Sequence, residues 1–285
     1  MTGNANVLRG VAVVGATAVL VAGCGSPGER ASDNGGGDDD VVTLRIGATP
    51  LPHAEILEFV DDELAAEAGL AIEVAEYTDY NQPNAALAEG ELDGNYYQTV
   101  PFLEEYLEGN PDTDLTYVAD VHLEAFGLYS EEFEDLGDLS EGAEIGVPND
   151  ASNMDRALQL LGQEDVIGLA DGTEGQASEE DVEENPYDIA ITPVEAAQLP
   201  RSLEDVDAAV VNGNYALEAD LTESANVLAW EETEDNPYAN GLVVRSEDAE
   251  AEDLVRLNEL LHRPEVRDFM EERWQGIVLP VGGEE

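Results

Sequence analysis

Residues 145–161 read IGVPNDASNMDRALQLL. Ile145-Gly146-Val147 is a short apolar run of the buried-strand kind, and Pro148-Asn149-Asp150 is turn chemistry. Ser152 with Asp155 three residues on has the capping-box pattern, and Met154, Ala157, Leu158 and Leu161 recur at helical spacing. The expectation is strand, tight turn, helix, with the helix N-terminus at the strand's carboxyl end. In open α/β sheets that edge is where ligands bind. Arg156 then falls in the first helical turn, where the helix dipole disfavours a cation. Two arrangements resolve the misfit. An anion can lie there, accepting from backbone N–H groups and the guanidinium together. Alternatively, Arg156 pairs with one of the 66 acidic residues.

Outward from this stretch, strand and helix patterns alternate. Val41–Ala48 alternates as a first strand, His53–Ala68 has helical spacing, and Leu70–Tyr77 alternates again, which is the β-α-β unit of a parallel sheet. Asn84–Glu89 reads as a short helix, Leu92–Gln98 as a strand, and Phe102–Leu107 as a helix opened by Pro101. Leu115–Val121 and Phe126–Tyr129 read as strands. Downstream, Ile189–Ile191 and Ala208–Val211 read as short buried strands flanking a helix-like Pro193–Leu203. Ala216–Leu221 reads as a helix, Leu242–Val244 as a strand, Asp253–Trp274 as one helical segment, and Val278–Glu285 as a tail. The pattern is α/β throughout, and the length fits two such units with a cleft between them.

Composition narrows the partners. Ten basic residues against 66 acidic ones give a net charge of -56, and every basic residue is arginine. Nucleic acid is excluded as a partner class, because phosphate neutralisation needs a basic patch. An anionic membrane surface repels the folded part for the same reason. With 43% hydrophobic residues the chain still has a core to bury. A protein this acidic repels itself unless salt screens it, and the Debye length shrinks from about 10 Å at 0.1 M to about 3 Å at 1 M. The composition reads as adaptation to a salty, halophilic exterior.

The first 23 residues read as a targeting segment. Arg9 is the only charge before Glu29, and Val11–Ala22 is an apolar run too short for a permanent bilayer span. The run ends in Val21-Ala22-Gly23-Cys24, which resembles a bacterial lipobox whose cysteine is acylated, palmitate being one such acyl group. Cys24 is the only cysteine, so no intrachain disulfide is expected. Residues 24–40 are nearly devoid of apolar side chains and read as a disordered tether, with a root-mean-square reach of roughly 20–24 Å.

No enzyme signature stands out: there is no G-x-S-x-G, no P-loop and no H-E-x-x-H. His53, His122 and His262 are far apart in the chain, so no metal site and no cofactor are expected. An acidic structural or surface lipoprotein is the reading of another class that stays open.

Several motifs in order carry a resemblance. They are Gly47-Ala48-Thr49-Pro50 with Pro52-His53-Ala54-Glu55, Asp79-Tyr80 with Pro83-Asn84, and Gly90-Glu91-Leu92-Asp93 with Asn95 and Gln98. Gly127-Leu128-Tyr129-Ser130, the 145–161 stretch, Val211-Asn212-Gly213-Asn214-Tyr215-Ala216 and Asn236-Pro237-Tyr238-Ala239-Asn240 follow. From about Leu44 to Val278 the chain resembles the methionine-binding lipoproteins of ABC importers, the NlpA lipoprotein family. The resemblance implies a two-lobed, type II periplasmic-binding-protein-like fold, with an amino acid held in the cleft between lobes. It places lobe one at 41–130 plus 236–285 and lobe two at 131–235. It implies a monomeric receptor on the extracytoplasmic face of the membrane, attached only by lipid, that delivers its ligand to a permease and its ATPase. The receptor itself does no bond chemistry.

Residue by residue, the resemblance implies that Arg156 holds the ligand α-carboxylate, bidentate, and that Asn212 meets the amino group. Asn153, one turn earlier, adds a hydrogen bond or simply starts the helix. Tyr80, Tyr97, Phe102 and Tyr129 wall the side chain or pack the core. Gln98 and His53 are further candidates, and Asn214 shares the turn of Asn212. Many relatives have Gln-His before x-Pro-Tyr-Leu; here Thr99 and Phe102 replace the His and the Tyr. Methionine is the expected ligand, with another amino acid or a short peptide as alternatives.

The charge reading makes a direct prediction. The melting temperature, followed by calorimetry, should rise as NaCl is raised into the molar range; a flat response would contradict salt adaptation.

Overall fold

The computed structural model describes residues 41–173 and 175–282. The signal segment 1–23, the tether 24–40 and Cys24 lie outside the described residues. Those described belong to one compact unit, Asp39–Glu285.

In chain order the elements are β1 (Val42–Ala48), α1 (Glu55–Glu63), β2 (Leu70–Glu76), α2 (Pro83–Ala88), β3 (Gly94–Thr99), α3 (Val100–Gly109), β4 (Leu115–Glu124) and β5 (Gly127–Ser130). The middle of the chain adds β6 (Glu144–Pro148), α4 (Ala151–Gln163), β7 (Gly168–Leu169), β8 (Val182–Glu184), β9 (Ala190–Val194), α5 (Leu199–Ser202) and β10 (Ala208–Val211). Then come α6 (Gly213–Glu218), α7 (Leu221–Ser224), β11 (Asn226–Trp230), β12 (Asn240–Arg245), α8 (Glu252–Leu261), α9 (Pro264–Trp274) and β13 (Val278–Pro280).

Two sheets organise these elements. The first runs β13-β4-β12-β3-β1-β2 and the second β11-β5-β10-β6-β9, with β7 and β8 forming a separate pair. In the first sheet β1 lies parallel to both β2 and β3, and β12 runs antiparallel to β3 and β4. In the second, β6 lies parallel to both β9 and β10, and β5 runs antiparallel to β10. The chain therefore leaves β1 toward opposite sides of the first sheet, and β6 toward opposite sides of the second. Each is a topological switch point, and the crevices at their carboxyl ends are where α/β sheets bind ligands.

The chain passes between sheets twice, at Ala125–Phe126 after β4 and at residues 231–239 before β12. The passages touch: Glu231 N–H donates to Phe126 O at 2.9 Å. Here the expected boundary moves. Gly127–Ser130, which the lobe-one range 41–130 included, is β5, and it pairs with β10 and β11 in the second sheet.

Each sheet buries its own apolar layer. Ile46, Ile56, Leu57, Val60, Leu242, Val244, Leu257 and Met270 lie in one core, and Phe126, Leu128, Ile145, Val147, Leu158, Leu161 and Val210 in another. The helical periodicity of 253–274 is interrupted where Pro264 starts α9, since proline cannot extend α8. Residues 53–68 likewise divide, into α1 and a 3₁₀ turn, Ala65–Ala68, closed by Gly69 with φ of 69°. The expected tail at 278 begins instead with β13, paired to β4. Among the described residues no helix is long and apolar enough to cross a membrane.

Candidate functional site

The 145–161 stretch folds as strand, turn and helix, with two differences from expectation. Asp150, and not Ser152, is the N-cap: its carboxylate accepts the Asn153 N–H at 3.0 Å. Arg156 is consequently the sixth residue of α4, in its second turn. The helix N-terminus is filled by carboxylates of the protein itself. Glu105 of α3 accepts from Ala151 N–H at 3.0 Å and Ser152 N–H at 2.8 Å, so a carboxylate from the first-sheet side takes two orphan donors of α4.

Arg156 is almost fully buried and does pair with an acid. Its Nε donates to Glu231 Oε1 at 2.8 Å and its Nη2 to Glu231 Oε2 at 2.7 Å. Nη2 also donates to Glu124 O at 3.2 Å. The guanidinium carbon stands 4.3 Å from the Phe126 ring centre and 4.6 Å from that of Tyr238, a cation–π sandwich. The bidentate edge expected to face a ligand is thus committed to Glu231. Nη1 alone has no hydrogen-bond partner among the described residues, and Arg156 lines a small cavity of about 20 Å³.

Tyr80, Tyr97, Gln98, Thr99, Phe102, Glu124, Asn153, Asn212 and Asn240 complete the lining. The cavity sits at the carboxyl ends of the central strands, beside both passages. Asn212 directly follows β10 and is oriented by a relay. Asn153 Nδ2 donates to Asp150 Oδ1 at 2.7 Å, and Asn212 Nδ2 donates to Asn153 Oδ1 at 2.8 Å. The relay assigns Asn153 a positioning task and leaves Asn212 Oδ1 as a buried acceptor with no partner among the described residues. Leaving such an acceptor unpaired costs about 1–3 kcal/mol.

The aromatic wall is a cluster. Tyr80 lies 5.9 Å from Tyr97, 5.5 Å from Phe102 and 5.0 Å from Tyr215, centre to centre. Tyr80 Oη donates to Asn214 Oδ1 at 2.6 Å, which tethers the loop after β2 to the turn after β10. A wider cavity of about 210 Å³ adjoins, sharing Tyr80 and Phe102 and bordered by Glu105, Asp150 and Glu195. Thr99 accepts the Phe102 N–H at 3.4 Å as the N-cap of α3, a capping task histidine does poorly.

Three expected lining residues fall elsewhere. Tyr129 is buried with Leu199, Ala209 and Val211, its ring edge-on to Trp230, because β5 turns that face into the second sheet's packing. Asn214 lies behind the turn, its N–H bonded to Glu124 Oε2 at 2.8 Å. His53 is buried beneath the cavity, with Nε2 3.1 Å from Asn240 Oδ1 and 3.2 Å from Glu124 Oε1. Gln98 lines the cavity, but both its amide hydrogens go to Asn84 and Asn95, so only acceptor capacity remains.

Glu124 and Asn240 are additions. Glu124 ends β4 in VHLEAF, an acid beside a histidine inside an apolar run, and that incongruity was the available signal. His122, distant from His53 in the chain, stands with its ring 5.0 Å away, and its Nε2 is 3.1 Å from Glu124 Oε1. Burial lowers His53 to about 4 and His122 to about 3, and pushes the Glu124 carboxyl up. A free histidine titrates near 6.5. Below that pH the unfolded chain takes up two protons that the folded chain refuses. The stability these imidazoles supply is therefore complete above about pH 6.5 and is lost as the pH falls toward 3. Nitrogen-15 spectra should accordingly show two neutral imidazoles still at pH 5; protonation of both near 6.5 would contradict the burial argument.

Removing Arg156 should act first on stability. Arg156→Ala leaves the Glu231 carboxylate buried and unpaired, an effect of about 3–5 kcal/mol in urea unfolding. Adding Glu231→Gln should restore part of the loss.

Residues 44–282 match the family described as NlpA lipoprotein. The methionine-binding lipoprotein MetQ of Bacillus subtilis is 34% identical over 265 residues, 92% of this chain and 94% of that one. The D-methionine-binding lipoprotein MetQ of Escherichia coli O157:H7 is 30% identical, with 93% of each chain covered. A nutrient binding protein from Burkholderia cenocepacia, solved bound to methionine, superposes with a TM-score of 0.80 at 37% identity, covering 84% of this chain and all 100% of that one. With the two-lobed periplasmic-binding-protein-like fold and a cavity between its sheets, the chain belongs to the NlpA lipoprotein family.

Proposed function

We propose that the chain is a solute receptor of an ABC importer that binds a free α-amino acid, methionine, as its zwitterion. The observation that carries this reading is that two residues lining one cavity, Arg156 and Asn212, each keep an uncommitted polar atom. Arg156 Nη1, which has no hydrogen-bond partner among the described residues, would donate to a carboxylate, and Asn212 Oδ1 would accept from an ammonium. Arg156 acts through one nitrogen, its other edge being held by Glu231. Tyr80, Tyr97 and Phe102 supply aromatic edges to a thioether, worth about 0.3–1.5 kcal/mol per contact.

Contacts across the cavity support closure around the ligand. Glu105 caps α4, Tyr80 bonds Asn214, and Asn81 Nδ2 donates to Glu195 Oε1 at 3.3 Å. Each joins the loops or helices of one sheet to those of the other. The closed surface then presents itself to a permease, and the importer's ATPase supplies the energy. We place the receptor as a monomer on the extracytoplasmic face, held through lipid on Cys24, as the names of its lipoprotein relatives support.

The test is calorimetry with L-methionine on protein starting at Ser26, refolded to remove carried ligand and kept in molar salt. One-to-one, sub-micromolar binding is expected. The Arg156→Ala, Glu231→Gln double variant, which removes the buried pair together, should fold and lose that binding. No heat with folded wild-type protein, across methionine, other amino acids and dipeptides, would overturn the receptor reading.

A further inference from the structure

Glu124 is the only carboxylate among the residues lining the cavity, and it is almost fully buried. Its hydrogen bonds can be accounted for atom by atom. Oε1 lies 3.2 Å from His53 Nε2 and 3.1 Å from His122 Nε2, and Oε2 accepts from Asn214 N–H at 2.8 Å. The other nitrogen of each ring faces a hydroxyl: Thr49 Oγ1 at 2.7 Å from His53 Nδ1, and Tyr96 Oη against His122 Nδ1. A hydroxyl that donates to Nδ1 leaves the ring proton on Nε2; in His122 that nitrogen faces the carboxylate, and in His53 it faces both Asn240 Oδ1 and the carboxylate. An ionised carboxylate offers about four lone-pair sites. Two are used here, by His122 Nε2 and the Asn214 N–H, while His53 Nε2 bonds Asn240 Oδ1 at 3.1 Å and stands 3.2 Å from the carboxylate.

What Glu124 lacks is a positive charge. Both imidazoles are neutral, and the nearest guanidinium, Arg156, spends its charge on Glu231 while donating only to the backbone carbonyl of Glu124. Buried carboxylates are stabilised by pairing with a cation. Glu124 is also placed between the two halves of the proposed zwitterion site. Its carbonyl anchors Arg156, and its side chain pins the turn that carries Asn212. Gly213 permits that approach, since a Cβ there would stand 2.7 Å from the Glu124 Cβ.

We propose that Glu124 is the ionic partner of the ligand's α-ammonium, and the residue that makes the site select a free amino group. His53 and His122 are positioning residues that act through it. The proposal rests on the amino-acid reading above and adds the source of its amine selectivity. The same three groups bring donor atoms within 4.8 Å of one another, close enough for a divalent cation, so zinc belongs in the test.

The experiment is calorimetry with three ligands: L-methionine, 4-(methylthio)butanoate, which lacks the amine, and N-acetyl-L-methionine. Wild-type protein should bind L-methionine at least about 100-fold more tightly than either analogue. Glu124→Gln, of equal size, should weaken L-methionine by roughly 10- to 100-fold and leave the amine-free analogue within about threefold, collapsing the discrimination. Glu124→Asp should fall between the two. If Glu124→Gln does not melt cooperatively, the wild-type ratios and Glu124→Asp decide. Equal weakening of both ligands by a folded variant would overturn the proposal, as would wild-type affinity for the amine-free analogue within threefold of methionine. One-to-one zinc binding that excludes methionine, and that His122→Asn abolishes, would also overturn it, because the carboxylate would then serve a metal. Wild-type protein that binds amine-free and acetylated forms as well as methionine retains the receptor reading and loses only this one. Protein that binds none of them loses both.

Discussion

The Arg156 guanidinium holds the two passages of the chain at one point. Nη2 takes the carbonyl of Glu124, at the end of the outgoing passage, and Nε with Nη2 takes the carboxylate of Glu231, at the start of the returning one. Phe126 and Tyr238, one from each passage, close on its faces. A charge this deeply buried is tolerable only when its partners are geometrically complete. The segments that join the sheets are consequently fixed in relation to α4. A single side chain thus couples the frame of the molecule to the cavity it lines.

The polar groups around the cavity form chains, each ending at residues that line it. Asp150 orders Asn153, Asn153 orders Asn212, and the acceptor of Asn212 is left over. Thr49 and Tyr96 order two imidazoles, which order Glu124. Buried networks of this kind are strong because the surrounding dielectric is low, and costly where incomplete for the same reason. A ligand that completes both chains at once is distinguished from one that completes only one. The aromatic cluster of Tyr80, Tyr97 and Phe102 adds apolar contact and less directional discrimination.

The surface follows a different rule from the interior. The net charge is -56, and among the described residues most acids are exposed, while several of the few arginines are spent on specific pairs such as Arg45 with Glu73, Arg263 with Glu265 and Arg273 with Glu55. Exposed pairs of this kind contribute little individually. Burying the Arg156–Glu231 pair is therefore the conspicuous use of a scarce residue type, and it occurs at the cavity.

Most of the order of strands and helices, with β7, β8, β11 and β13 as the exceptions, the switch from β6 into α4, and the candidacy of Arg156 and Asn212 were legible in the amino-acid sequence. They rest on local quantities: apolar periodicity, turn chemistry, and a cation out of place near a helix start. Tertiary structure decided whatever depends on which distant residues meet. Whether Arg156 faces a ligand or an acid turned on Glu231, 75 residues away. The cap of α4 came partly from Glu105, on another helix. His53 and His122, remote in the chain, became neighbours because β4 passes under the turn that follows β1. Glu124 drew its importance from that meeting. Periodicity reports which face of an element is buried, and only the packing of the elements determines which polar groups share the space.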